Sequence, residues 1–152
     1  MNYFRYRLRA QVTCLTISCF VLLACSGVLI AKPYSDGASV VRVGREFKLR
    51  VGQSVIVKGT RLRIRFVAVE NDSRCPSDVT CVWAGNAAVR LQLGTGRGSK
   101  TVTLNTSKSS SFAGEIEYQG YTVKLIGLSP YPRSDRKIVK RDYRATLLVS
   151  KE

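Results

Sequence analysis

The chain is 152 residues long and 45% hydrophobic, with 25 Lys+Arg against 10 Asp+Glu for a formal charge of +15, five cysteines and no histidine. That length suits one domain. The lack of imidazole excludes His-bearing zinc centres, Ser-His-Asp and Cys-His nucleophile pairs and any histidine acid–base step, and with them most hydrolytic mechanisms open to a small domain. No enzyme activity, metal or cofactor is expected.

Residues 1–9 carry Arg5, Arg7 and Arg9 with no acid, and residues 10–24 (AQVTCLTISCFVLLA) are uncharged and mostly apolar. These are the n-region and h-region of an export signal. The run closes on Leu22-Leu23-Ala24-Cys25, which resembles the lipobox of bacterial lipoproteins. The resemblance implies cleavage before Cys25, acylation of that cysteine with palmitate-like chains, and attachment to a membrane through them. Ser26 is similar to the residue that sorts such proteins to the outer membrane, there to face the periplasm or the cell surface. Two other readings share these residues. A cut after Ala31 gives a soluble periplasmic or secreted protein of unknown function. An uncut segment gives an inner-membrane signal anchor, because residues 10–31 hold no charge and approach the ~20 residues of a spanning helix. All three place the remaining chain outside the cytoplasm.

On the lipoprotein division, residues 1–24 are the signal peptide, 25–39 a polar, turn-rich tether and 40–152 a single β domain. Cys14 and Cys19 leave with the signal and Cys25 takes lipid, so Cys75 and Cys81 remain as a pair expected to oxidise in that compartment. Five residues separate them, where a redox motif has two, and two thiols without histidine are a poor zinc site.

Beyond the tether nearly every segment alternates with period two. Residues 46–51 (EFKLRV) set Phe47, Leu49 and Val51 against Lys48 and Arg50, and residues 61–66 (RLRIRF) set Leu62, Ile64 and Phe66 against Arg61, Arg63 and Arg65. Further strands are expected over 54–58, 87–93, 100–105, 115–118, 121–128 and 143–150. Gln119-Gly120 reads as a two-residue hairpin turn and Lys58-Gly59-Thr60 as another tight turn. The spacing predicts an all-β domain, an antiparallel β-sandwich or alternatively a small β-barrel. Its inward set would be Phe47, Leu49, Val57, Leu62, Ile64, Phe66, Val89, Leu91, Val102, Leu104, Val123, Leu125 and Leu147.

The most distinctive stretch is residues 71–87 (NDSRCPSDVTCVWAGNA). Pro76 and a Cys75–Cys81 bridge would stiffen a loop in which Asp72, Arg74 and Asp78 pair or accept backbone hydrogen bonds, while Trp83 buries its large area beside the bridge. Alternatively the stapled, charged loop is a recognition surface. Asp72 with Asp78 offers too few carboxylates for calcium. The pattern D-S-R-C-P-x-D-V-x-C-x-W-A-G-x-A resembles uncharacterised bacterial envelope proteins, with further likeness at residues 104–106, 128–132 and 143–145. That resemblance implies a lipoprotein or secreted β domain and no particular activity.

Arg61, Arg63 and Arg65 share one strand face, and Lys48 and Arg50 are expected on the same sheet. A second basic cluster spans Arg133, Arg136, Lys137, Lys140, Arg141 and Arg144, with only Asp135 and Asp142 against it. An exported protein seldom meets nucleic acid, so no nucleic-acid partner is expected. Anionic lipid, lipopolysaccharide or an envelope protein are the accessible partners. The alternative for both clusters is a solvated surface whose charges protect strand edges.

Three motif-like segments carry no chemistry. Residues 94–101 (GTGRGSKT) look like a phosphate loop but place Ser99 where the motif needs glycine, and they read as a hairpin loop. Residues 134–137 fit S-x-x-K without its accompanying elements. Glu115 and Glu117 lack the apolar neighbours that would split their pKa values. The expectation is therefore a non-catalytic, lipid-anchored envelope module that binds anionic components through Arg61, Arg63, Arg65 and the late basic loop. The alternative is a protein-binding accessory or enzyme inhibitor using the Cys75–Cys81 loop.

Overall fold

The period-two alternation becomes nine strands: β1 (Ser39–Val41), β2 (Glu46–Arg50), β3 (Ser54–Val57), β4 (Arg63–Asp72), β5 (Ala87–Thr95), β6 (Gly98–Asn105), β7 (Glu115–Tyr118), β8 (Tyr121–Ser129) and β9 (Arg144–Lys151). The computed structural model of the protein describes residues 38–96, 98–107 and 112–151. Cys25, the expected signal segment and nearly all of the expected tether lie outside the described residues. No helix among the described residues is long and apolar enough to cross a membrane.

The strands form an antiparallel-rich β-sandwich. One sheet has the order β1-β3-β4-β5-β6 and the other β2-β9-β8-β7. Within the first sheet β3 to β6 form a meander, and β1 pairs with β3 in parallel. Neither sheet closes on itself, which decides between sandwich and barrel. The strand β1 takes in Ser39, expected as the last residue of the tether, and Val40 and Val41, for which no strand was expected because three residues are too few to show a period. Gln119 and Gly120 both have positive φ, 55° and 75°, and turn β7 into β8, as a two-residue hairpin of right-handed strands requires. The glycine-rich segment after Gly94 is the turn of the β5–β6 hairpin, with Thr95 opposite Gly98.

The core lies between the sheets and includes Leu49, Leu62, Ile64, Phe66, Val89, Leu91, Leu104, Val123, Leu147 and Val149. Every expected inward residue is buried except Phe47, which is half-buried and packs against the cluster. Strict alternation along β4 would put Ala68 and Glu70 inward. Two bulges, between Phe66 and Ala68 and between Val69 and Asn71, change this. They turn Val69 inward opposite the buried Val89, leave Glu70 outside, and return Asp72 to the inner face opposite the buried Ala87. Glu70 then pairs with Arg90 and accepts from Thr103, so no unpartnered carboxylate enters the core. A third bulge around Ile126 of β8 turns Leu128 inward in the same way.

One expectation about the sheets is corrected. Lys48 and Arg50 lie on β2 in the second sheet, opposite Thr146 and Arg144 of β9, not beside the arginines of β4. The chain crosses between sheets at the turn after Arg50, where Val51 donates to Tyr143 and Gly52 to Phe66, and sequence alternation is blind to such a crossing.

Candidate functional site

Strand direction sorts the loops to two ends of the sandwich. At one end lie the β4–β5 loop, which carries the disulfide, and the β8–β9 loop, which carries the late basic cluster. At the other lie the β3–β4, β5–β6 and β7–β8 turns. Tyr118 of β7 reaches the carbonyl of Gly98 at this second end. A strand rise of ~3.3 Å per residue puts Arg63 and Asp72, the two ends of β4, roughly 30 Å apart.

The disulfide end is built outward from Asp72 and Arg74. Their side chains are only 9% and 5% exposed. Arg74 Nε donates to Asp72 Oδ1 at 2.8 Å and Nη2 to Oδ2 at 2.7 Å, a two-point pair. The same guanidinium donates to the carbonyls of Leu128 at 2.6 Å and Pro130 at 3.0 Å, and the ring of Tyr131 lies 4.8 Å from it. Tyr143 donates its hydroxyl to Asp72 Oδ2 at 3.0 Å. Burial by itself raises the Asp72 pKa, but the hydrogen bonds and charge of Arg74 and the Tyr143 hydroxyl outweigh it and hold the carboxyl below its usual value. Tyr143 is pushed up to about 12 by burial, then by its bond to Asp72 and that residue's charge.

Cys75 and Cys81 are bonded, as expected from the sequence. The base of the loop is a short ladder in which Ser73 donates to Asn86 at 2.7 Å and Cys75 to Ala84 at 3.0 Å. Gly85 completes it at φ 69°, so close to Ser73 that an added Cβ would sit 1.8 Å from the Ser73 carbonyl oxygen. Two links tie this loop to the basic one. Ser77 donates its amide to the Pro132 carbonyl at 2.9 Å, and Asp78 accepts from the amide of Ser134 at 2.9 Å and from its hydroxyl at 2.6 Å. Those Ser134 hydrogen bonds hold the Asp78 carboxyl below its ordinary pKa. Asp72 and Asp78 are thus engaged separately.

Trp83 does not bury beside the bridge. It is 81% exposed, with Val82 at 90% and Val79 at 47%. The ladder that joins Ser73 to Asn86 and Cys75 to Ala84 holds the ends of the loop, and residues 77–84 between them are exposed, Trp83 among them. Val79 and Val82 were not evident as surface features. Their signal was apolar residues lying in a turn-rich stretch with no partner segment of matching period.

The late basic loop runs over the same end, with a 3₁₀ turn at Lys140–Asp142. Arg133 pairs with Asp135 and lies 4.0 Å from Asp78, and Arg136 pairs with Asp135. Lys137, Lys140 and Arg141 are exposed and form no ion pair among the described residues.

Arg61, Arg63 and Arg65 belong elsewhere. Arg63 and Arg65 point out of the first sheet, and Arg61 lies in the turn before β4. Arg61 and Arg63, with Thr60, Ile56, Gly94 and Ser99, line a shallow cavity of about 590 Å³ at the end remote from the disulfide. The two basic clusters therefore do not form one surface. Glu115 of the second sheet pairs with Lys124.

No protein-family model matches the chain, and neither a curated protein nor a solved structure is significantly similar to it.

Proposed function

We propose that this domain is a non-catalytic module of the bacterial envelope, anchored by lipid on Cys25, that binds anionic envelope components through Arg136, Lys137, Lys140 and Arg141 beside the stapled loop. One observation supports it above the rest. Asp78 and Asp135 are engaged by Ser134, Arg133 and Arg136, and Lys137, Lys140 and Arg141 are exposed beside the stapled loop with no ion pair among the described residues and with Asp142 as the one further carboxylate of their loop. Such a cluster attracts phosphates of lipid or lipopolysaccharide, with a strength that falls as salt screens it. Arg61 and Arg63 form a separate and weaker candidate, because they lie at the far end.

Co-sedimentation with vesicles containing phosphatidylglycerol, and with lipopolysaccharide, tests the reading. Reversing Lys137, Lys140 and Arg141 to glutamate should abolish a salt-sensitive association, while Arg61→Ser, Arg63→Ser and Arg65→Ser together should weaken it modestly. The opposite ranking would move the surface to the far end, and association indifferent to both sets would end the proposal. The intact mass of membrane-extracted protein tests the anchor. A chain beginning at Cys25 with acyl adducts supports it, and a chain beginning after Ala31 overturns it.

A second reading, docking of an envelope protein by the Cys75–Cys81 loop, is favoured by the exposure of Trp83. It predicts capture of a defined partner that is lost on reduction.

A further inference from the structure

We infer that the exposed run 79–83 of the β4–β5 loop, with Val79, Val82 and Trp83 as its apolar tip, inserts into the interfacial layer of an anionic phospholipid bilayer while Lys137, Lys140 and Arg141 engage its phosphates. The inference rests on the anion-binding reading above and specifies its partner.

Four observations point the same way. First, the most exposed large apolar side chains of the described domain, Val82 and Trp83, are adjacent in one loop. Tryptophan is the residue that bilayer interfaces favour, since its ring is apolar and its N–H needs a wet partner. Second, the tip can leave water without stranding a charge. Between Cys75 and Trp83 the single ionisable side chain apart from the bridged cysteines is Asp78, and its carboxylate is turned back onto the Ser134 amide and hydroxyl. A carboxylate facing the lipid would repel phosphates and resist burial. Third, the tip is preorganised by the bridge, by Gly85 and by the ladder from Ser73 to Asn86, so little conformational freedom is lost on insertion. Fourth, the cations without ion pairs are joined to this tip through the Ser77–Pro132 and Asp78–Ser134 hydrogen bonds, which is the pairing of apolar wedge and basic flank that anionic membranes bind.

A bilayer suits this shape better than a protein does. A stable protein interface needs roughly 800 Å² from each partner, whereas three exposed side chains of one loop offer a small site of insertion.

Trp83 is the only tryptophan in the chain, so its fluorescence reports the tip directly. The full processed chain is mixed with phosphatidylcholine vesicles, with or without phosphatidylglycerol, some carrying brominated acyl chains. With phosphatidylglycerol present, the emission should shift to the blue, resist an aqueous quencher and be quenched by the brominated chains. High salt, or reversal of Lys137, Lys140 and Arg141 to glutamate, should restore the exposed spectrum. Val82→Asp, at a site too exposed to disturb folding, should lower the inserted fraction at limiting lipid by roughly tenfold. If the protein co-sediments through its basic loop while Trp83 stays in water, the insertion is overturned and the anion-binding reading survives. If there is no charge-dependent association, both fail. A blue shift produced by an envelope protein and not by vesicles overturns the insertion in favour of protein docking.

Discussion

The hydroxyl of Tyr143 donates to Asp72 Oδ2 at 3.0 Å across 71 residues of chain, joining the end of β4 in one sheet to the start of β9 in the other. Arg74 completes the junction by bonding Asp72 on one side and the Leu128 and Pro130 carbonyls on the other. The charged residues that make the Cys-loop motif conspicuous are therefore mostly its supports, and the apolar ones are what it displays.

Removing Arg74 should be costly. Arg74→Ala leaves a buried carboxylate with a tyrosine hydroxyl as its one remaining side-chain partner and strips two carbonyls of a donor, a loss of about 3–5 kcal/mol. Urea denaturation should show it, and Asp72→Asn in the same background should recover part of the loss. A cost under about 1 kcal/mol would show that the pair does not hold the loop.

The pH dependence has two arms with opposite signs. Asp72 has a folded pKa below the ordinary aspartate value of 3.8. Its contribution is complete above that value and is lost as pH falls through the lower folded one. Tyr143 has a folded pKa raised from 10.0 to about 12. Its contribution is complete below pH 10 and is lost as pH rises towards 12. Denaturation midpoints should fall in both windows, and Tyr143→Phe should flatten the alkaline one. An unchanged alkaline slope in that variant would refute the assignment.

Gly85 should tolerate no side chain. Both its φ of 69° and the Cβ position 1.8 Å from the Ser73 carbonyl oxygen oppose alanine, and relief requires opening the ladder at the base of the loop. Gly85→Ala should destabilise by about 3 kcal/mol and speed amide exchange at Ser73 and Cys75. Exchange unchanged at those two amides would contradict the close approach.

Loss of the bridge should be mild for the domain. Closing so short a loop contributes about 2–2.5 kcal/mol in the chain-entropy account, and the core residues lie between the sheets, away from the loop. Cys75→Ser with Cys81→Ser should lower the thermal midpoint yet leave the β circular dichroism signal and a cooperative transition. Loss of the β signal would mean that the loop carries the fold.

What the sequence by itself determined is what depends on neighbours along the chain: β2 to β9 apart from the second half of β4, the hairpin at Gln119-Gly120 and an inward set of which all but Phe47 is buried. Alternation and turn chemistry act over a few residues, so they can be read from a few residues. The pairing of Cys75 with Cys81 was legible from the cysteine count, because the other three cysteines all lie within residues 14–25. Tertiary structure decided what depends on residues remote in sequence. The bulges of β4 keep Glu70 out and Asp72 in, because register is set by the strand alongside. Lys48 and Arg50 part from Arg63 and Arg65 because the chain changes sheets after Arg50. The basic clusters separate to opposite ends because strand direction assigns each turn an end. Trp83 faces water because whether an indole in a loop finds an apolar neighbour depends on which remote segments pack beside that loop, and there the neighbours are the polar junction of Asp72, Arg74 and Tyr143.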